Sequence, residues 1–368
     1  MPAETSNKTV LVAPLDWGLG HATRCIPVIR ELLSMGCHVV IVTSGRPLLL
    51  LQKEFPEADF YDLPSYNIYY QKRGSFLVKL TIQLRKILGG IMREKRVTSQ
   101  LIEQYDPVMI ISDNRYGVRS KHVHTVFISH QMMIKIPGSK FIEWIVWQWL
   151  NFQHRRFHRI WIPDVAGEPN LSGDLSHLHP VLPNTTFIGL LNRFSGEYDT
   201  TLPPNDVLCI LSGPEPQRSI FEKMILEQAT AIRRKFIIVQ GLSEERSDQW
   251  VSDHVRLVAH AGARKLHQLV GSSQIIISRG GYTTLMDLAP LGKHCIFVPT
   301  PGQTEQEYLV EELARHDLCV YQEQKHFDLL SALQQAGSIR PFQLEVEANT
   351  FVPQLHAEWQ AALQRKMM

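Results

Sequence analysis

The run Ile275-Ile276-Ile277-Ser278-Arg279-Gly280-Gly281-Tyr282-Thr283-Thr284-Leu285-Met286-Asp287-Leu288 decides how the chain is read. Three β-branched residues in a row suit a buried strand, and they stop at Ser278-Arg279-Gly280-Gly281. From Thr283 the apolar spacing changes to that of a helix, with Leu285, Leu288 and Leu291 on one stripe. Strand, glycine turn and helix in that order place backbone N–H groups where an anion can approach closely. The helix N-terminus adds about half a positive charge there, so the turn suits a phosphate or diphosphate. Asp287, one turn in, is a carboxylate able to accept hydrogen bonds from the two hydroxyls of a ribose. A second buried run, Cys295 to Val298, ends at Pro299-Thr300-Pro301-Gly302-Gln303-Thr304-Glu305-Gln306-Glu307. It brings amide and carboxylate side chains to the same strand-end edge.

Ser-Arg-Gly-Gly-x-x-Thr-x-x-Asp, then a Phe-Val-Pro strand end, then Glu-Gln-Glu-Tyr, resembles the donor-binding signature of family 28 glycosyltransferases. That family includes the lipid-linked N-acetylglucosaminyltransferase of peptidoglycan synthesis. The resemblance implies an α/β protein of two Rossmann-like domains whose parallel sheets face each other across a cleft, the B-type glycosyltransferase fold. It implies a nucleotide-sugar donor, UDP-linked in the family's usual case, held by Arg279, Gly280, Gly281, Thr283, Asp287, Gln306 and Glu307. Asp stands where Glu is usual, and Glu307 where a second amide is usual, so the nucleotide is specified better than the sugar.

At 368 residues the chain is too long for one ordinary core and suits two domains. The expected division is an acceptor-side domain over 1–192, a donor-binding domain over 207–349, and a last helix over 350–368 packing back on the first. Hydrophobic content of 44% with 20% charged residues describes a globular protein, and a net charge of +2 gives no argument for nucleic acid binding. Five scattered cysteines without C-x-x-C spacing read as reduced core residues. With a polar start leading straight into a strand, they point to the cytoplasm. No run reaches the roughly 18 apolar residues that a membrane span needs.

Thr9 to Ala13 reads as a strand, Pro14 to His21 as a glycine loop, and Ala22 to Met35 as a helix ended by Gly36. Strands and helices then alternate, which implies a parallel sheet with ligands beyond its strand ends. A dinucleotide fingerprint is incomplete: Thr23 replaces the third glycine, and the second strand ends Thr43-Ser44-Gly45-Arg46 without an acid. That reading ranks below the nucleotide-sugar one. The resemblance makes Gly18, Gly20 and His21 cleft-facing, with His21 the candidate base. A histidine at a helix N-terminus is disfavoured as a cation and can accept a proton, but it can equally cap the helix or line the loop. Asp113 and His130, at the ends of the next two strands, are further acceptor-side candidates or plain strand-end hydrogen-bonding groups.

Tyr66 to Arg96 mixes Leu80, Leu84, Ile87 and Ile91 with Lys72, Arg73, Lys86, Arg93 and Lys95 at helical spacing. Phe141 to Arg159 carries Trp144, Trp147 and Trp149 ahead of Arg155, Arg156 and Arg159. This suits either a core helix or a helix lying in a membrane interface, which would make the protein peripheral at the inner face of a membrane. Asn192 to Asp206 has a linker's composition, and Ser212-Gly213 opens the second strand-helix series where the family borders the donor diphosphate.

The function expected is therefore inverting sugar transfer to an acceptor hydroxyl, on a carbohydrate, lipid-linked or envelope-glycan acceptor. No tightly bound cofactor and no required metal are expected, since no Asp-x-Asp motif is present. A sugar-nucleotide epimerase or hydrolase, and a non-catalytic nucleotide-sugar-binding subunit, are the alternatives.

Overall fold

The computed structural model describes residues 8–64, 76–136, 138–194, 203–242, 248–344 and 350–367, with side chains from 85 onward in the helix that opens at Phe76. Lys72 and Arg73 of the basic stretch, the side chains of Leu80 and Leu84, and positions 195–202 of the linker lie outside the described residues. Two compact units divide the chain. The first draws on Met1–Ala166, Asp174–Leu191 and Glu347–Met368, the second on Gly167–Gly173 and Asn192–Val346.

In the first unit β1 (Thr9–Pro14), α1 (Gly20–Ser34), β2 (His38–Thr43), α2 (Gly45–Glu54) and β3 (Asp59–Asp62) are followed by the long α3 (Phe76–Tyr105). Then come β4 (Met109–Asp113), β5 (His124–Ile128), α4 (Lys140–His154), β6 (Arg159–Ile162), the single-turn α5 (Asp174–His177) and β7 (Thr185–Phe187). The strands form one parallel sheet in the order β3-β2-β1-β4-β5-β6-β7. A parallel sheet covered on both faces needs strands that are apolar throughout, and β1 is buried along its whole length. Leu11, Val40 and Ile110 from three adjacent strands share one core with Leu101 of α3. Gly36, at φ +74°, makes the left-handed turn that ends α1.

The second unit repeats the plan with β8 (Asn205–Ile210), α6 (Gln217–Ala229), β9 (Phe236–Val239), β10 (Gln249–Trp250), β11 (Val255–Val258), α7 (Ala263–Gly271) and β12 (Ser273–Ser278). It continues through α8 (Tyr282–Leu288), β13 (His294–Phe297), α9 (Thr304–Arg315), β14 (Val320–Tyr321) and α10 (Leu329–Ala336). Its order is β10-β11-β9-β8-β12-β13-β14, parallel apart from the two-residue edge strand β10, which runs antiparallel to β11. Ile275 and Ile277 of β12 pack with Val207, Phe221, Ile296 and Leu329. The helix after the glycine turn is shorter than its apolar stripe suggests: Pro290 cannot donate to the α-helical ladder, so Ala289–Leu291 tightens into a 3-10 turn ended by Gly292 at φ +59°.

The closing helix α11 (Phe351–Met367) packs on the first unit. Glu358 accepts from His124 at 2.7 Å and from Arg159 at 2.7 Å, and Lys366 pairs with Asp106 at 3.0 Å. Among the described residues no helix is long and apolar enough to cross a membrane.

Candidate functional site

Each sheet reverses its strand order once, and the carboxyl ends of the strands at such a switch point are where open α/β sheets hold ligands. In the first unit the switch lies between β1 and β4, where Pro14 stands beside Asp113. The loop after β1 turns at Gly18, whose φ of +80° requires glycine, and Gly20 opens α1. His21 therefore arrives next to the end of β4, and its Nδ1 lies 2.9 Å from Asp113 Oδ1.

Arg24, one helical turn on, completes the arrangement. Its guanidinium is buried and donates from Nε and Nη2 to the two oxygens of Asp113, and from Nη1 to His130 Nδ1 at 3.0 Å. Because arginine only donates, His130 Nδ1 is the acceptor and its ring proton belongs on Nε2. Burial by itself would raise the Asp113 carboxyl; the Arg24 and His21 charges more than reverse that and hold it well below the usual carboxylate range. Asp113 is thus a fixed anion. Arg24 Nη2 also comes within 2.8 Å of His21 Nδ1, so Asp113 and Arg24 compete for that nitrogen. With Nδ1–H donating to the carboxylate, the lone pair sits on Nε2, on a side chain that is 16% exposed. Sequence reasoning singled out His21, Asp113 and His130 separately and missed Arg24, which joins them.

In the second unit the switch lies between β8 and β12, with Ile210 beside Ser278. Three turns meet there. Gly213 follows β8 at φ +103°, and a Cβ on it would stand 3.3 Å from Thr300 Oγ1. Gly280 admits α9: a Cβ there would come 2.0 Å from Val310 Cγ2. Gly281 has ordinary φ and ends in extended backbone at the start of α8, with a built Cβ 3.9 Å from Gln306 Nε2. Glycine is needed at 280 for room, whereas Gly213 is set by its backbone angle. Gln306 Oε1 accepts from Thr300 N at 2.9 Å, and its Nε2 donates to Gln303 at 2.7 Å. The Thr300 hydroxyl is buried at the centre of this group and has no hydrogen-bond partner among the described residues. Thr283 sits in the first turn of α8, and Ser212 is exposed just before Gly213.

Three expected ligand groups stand differently. Arg279 turns inward and is buried, donating to Val298 O at 2.9 Å, Pro299 O at 3.1 Å, Gln217 O at 3.0 Å and Gln324 Oε1 at 2.7 Å, with its guanidinium 4.4 Å from the Phe221 ring centre. Burial lowers it to about 10. It ties the end of β13, the start of α6 and Gln324 to one another. Asp287 is buried too: Arg193 N donates to Oδ1 at 3.2 Å, and Arg193 Nε lies 2.8 Å from Oδ2, off the hydrogen-bonding direction. Burial raises this carboxyl although Arg193 draws it down. Glu307 accepts from Gly302 N at 3.1 Å and closes the loop before α9. Gly213, Gly280, Gly281, Thr300 and Gln306 therefore come together, and Asp287 belongs to an ion pair with the start of the linker.

On α4, capped by the Ser139 side chain, Phe141, Trp144, Ile145 and Phe152 are exposed while Leu150 and His154 are buried. The tryptophan-rich segment is neither wholly core nor wholly surface. Among the described residues no group of three or more His, Cys, Asp or Glu side chains is placed to hold a metal ion.

Residues 207–356 match the glycosyltransferase family 28 C-terminal domain. An uncharacterized glycosyltransferase of Methanopyrus kandleri is 23% identical over 313 residues, spanning 79% of this chain and 85% of the relative. The solved structure of CalG4, the calicheamicin glycosyltransferase, superposes with a TM-score of 0.62 at 11% identity, covering 98% of this chain and 95% of that one. The spinosyn rhamnosyltransferase SpnG, solved with thymidine diphosphate, gives a TM-score of 0.55 at 12% identity over 98% and 95%.

Proposed function

We propose that this family 28-like glycosyltransferase of the B-type fold transfers a sugar from a nucleoside-diphosphate donor to an acceptor hydroxyl with inversion. The donor is held by the second unit and the acceptor is deprotonated by the first. The observation that carries the reading is the His21–Asp113 pair at 2.9 Å, fixed by buried Arg24 at a sheet's switch point. A protein that only bound the nucleotide-sugar would have no use for an oriented base.

In this reading His21 Nε2 takes the acceptor hydroxyl proton as the new bond forms to the anomeric carbon. The bond from that carbon to the diphosphate oxygen breaks, and its electron pair leaves on the diphosphate. Asp113 holds the imidazole through Nδ1 and balances the imidazolium that results, while Arg24 keeps the carboxylate ionised and aimed. The N–H groups that open α8, the Thr300 hydroxyl and the Gln306 amide meet the charge developing on the diphosphate. A UDP-sugar is the first donor to test and a dTDP-sugar the second, the latter supported by the thymidine diphosphate in SpnG. The exposed apolar face of α4 favours an acceptor presented at a membrane.

A thermal-shift panel of nucleoside-diphosphate sugars, read beside turnover with and without acceptors, tests this. The true donor raises the midpoint of the wild type, Thr300→Val weakens that rise, and His21→Gln keeps it while losing turnover. No shift with any nucleotide-sugar would remove the donor reading, and nucleotide release without any acceptor would favour hydrolysis or epimerisation.

A further inference from the structure

Three cations gather in the first unit, where α3, the end of α4 and the loop after β4 meet. The helices are packed through Ile87 and Ile91 of α3 with Trp149 of α4 and Tyr116 of the loop. One turn beyond Ile91, Lys95 is exposed. Arg119 is partly buried, its guanidinium 5.8 Å from the Phe157 ring centre, and its Nη1 is buried without a hydrogen-bond partner among the described residues. Arg156 is exposed, with its guanidinium 4.1 Å from the Phe152 ring centre.

Among the described residues none of the three makes a salt bridge, and the charges acting on Lys95 and Arg119 come from the other cations of the group. Burial first, then Arg119 and Arg156, lower Lys95; burial first, then Arg156, lower Arg119 to about 10. The neighbouring carboxylate, Glu94, faces inward to Arg115 Nη1 at 3.2 Å and Gly117 N at 2.9 Å. Two guanidiniums are thus seated on phenylalanine rings from one segment, beside an ammonium, with no carboxylate among the described residues paired to them. Ring faces place an arginine without neutralising it, and a guanidinium's donors match the oxygens of a phosphate.

We propose that Lys95, Arg119 and Arg156 form a phosphate-binding site of the first unit, for the phosphate group of a lipid headgroup or of a free phosphoanion. The site stands whether or not the transfer reaction is as proposed. An anion among the three cations relieves their mutual repulsion.

The test melts the full chain in chloride and in inorganic phosphate at matched ionic strength, for the wild type, Arg119→Met and Lys95→Gln. Phosphate raises the wild-type midpoint by about 2–4 °C at saturation, and both variants lose most of that rise. Lys95→Gln, on an exposed helix face, keeps the test sound should Arg119→Met fold poorly. Co-sedimentation with phosphatidylcholine vesicles, with and without phosphatidic acid, separates the two sources. Anionic-vesicle binding that both variants lose assigns the site to a headgroup, and a phosphate-dependent rise without vesicle binding assigns it to a free phosphoanion. Wild type and variants responding alike to phosphate and to vesicles overturns the proposal.

Discussion

Replacing Asp113 by asparagine keeps the shape of the side chain and removes its charge. In the wild type Arg24 is 1% exposed and Asp113 0%, so the pair is cut off from water. Two unit charges about 4 Å apart attract by about 4 kcal/mol at an effective dielectric near 20. Breaking a buried pair by removing one partner costs about 3–5 kcal/mol, because the survivor is left uncompensated. At about 2–4 °C per kcal/mol for a unit of this size, the melting midpoint of Asp113→Asn falls by about 10 °C at pH 7. The folded carboxyl is depressed, so its contribution is complete above its unfolded value near 3.8 and is lost as pH falls below that. Urea unfolding of wild type and variant at pH 7, 5 and 3.5 therefore shows a gap that is wide at the first two and narrows at the last. In the transfer assay the variant keeps the donor-induced thermal shift and loses about 10²–10⁴-fold in kcat, as expected when a general base loses its orienting anion. A stability gap under about 1 kcal/mol at pH 7, or one that stays constant down to pH 3, would refute the assignment of Asp113 as the buried anion.

His154 is buried with neither ring nitrogen partnered among the described residues, and burial lowers it to about 4. A depressed base contributes its stability above about 6.5 and loses it toward pH 4, so His154→Phe flattens the acid limb of urea unfolding by about 3 kcal/mol. An unchanged slope would count against it; His158, lowered to about 4 by burial and then by Arg365, keeps its own share in both proteins. Gly280→Ala forces a methyl against Val310, destabilising by about 1–3 kcal/mol and weakening the donor-induced shift, and Val310→Ala restores both. Wild-type behaviour of the single variant would remove the steric account. Arg193→Met strands the Asp287 carboxylate, so a double-mutant cycle with Asp287→Asn shows coupling above about 1 kcal/mol in chemical unfolding; additive losses would mean the pair contributes nothing.

What could be read from residues alone follows the range of the forces involved. Ile275–Ile277 and the glycines after them were legible because β-branched runs and glycine turns act locally. His21 and Asp113 could be named because strand ends at a switch point are predictable places. Arg24 could not: a charged residue in the second turn of a helix reads as solvent-facing until the fold brings Asp113 of β4 beside it, 89 positions on. For the same reason the charge of Arg279 was visible and the four acceptors that bury it were not. Asp287 meets Arg193, 94 positions earlier in a stretch that composition marks only as linker, and that pairing was not legible. The tryptophans of α4 gave two equal readings because amphipathic composition does not tell which side meets a neighbour.

Glu358 reaches His124 and Arg159 only after the ribosome has made all of β8 through α10. During synthesis the first sheet therefore waits, with two basic side chains unanswered, until the second core has been translated. Truncations that stop short of α11 should accumulate as a species that exposes the surface beside β5 and β6, and a chaperone binding early chains would find its target there. The first unit is thus completed by a segment encoded after nearly all of the second.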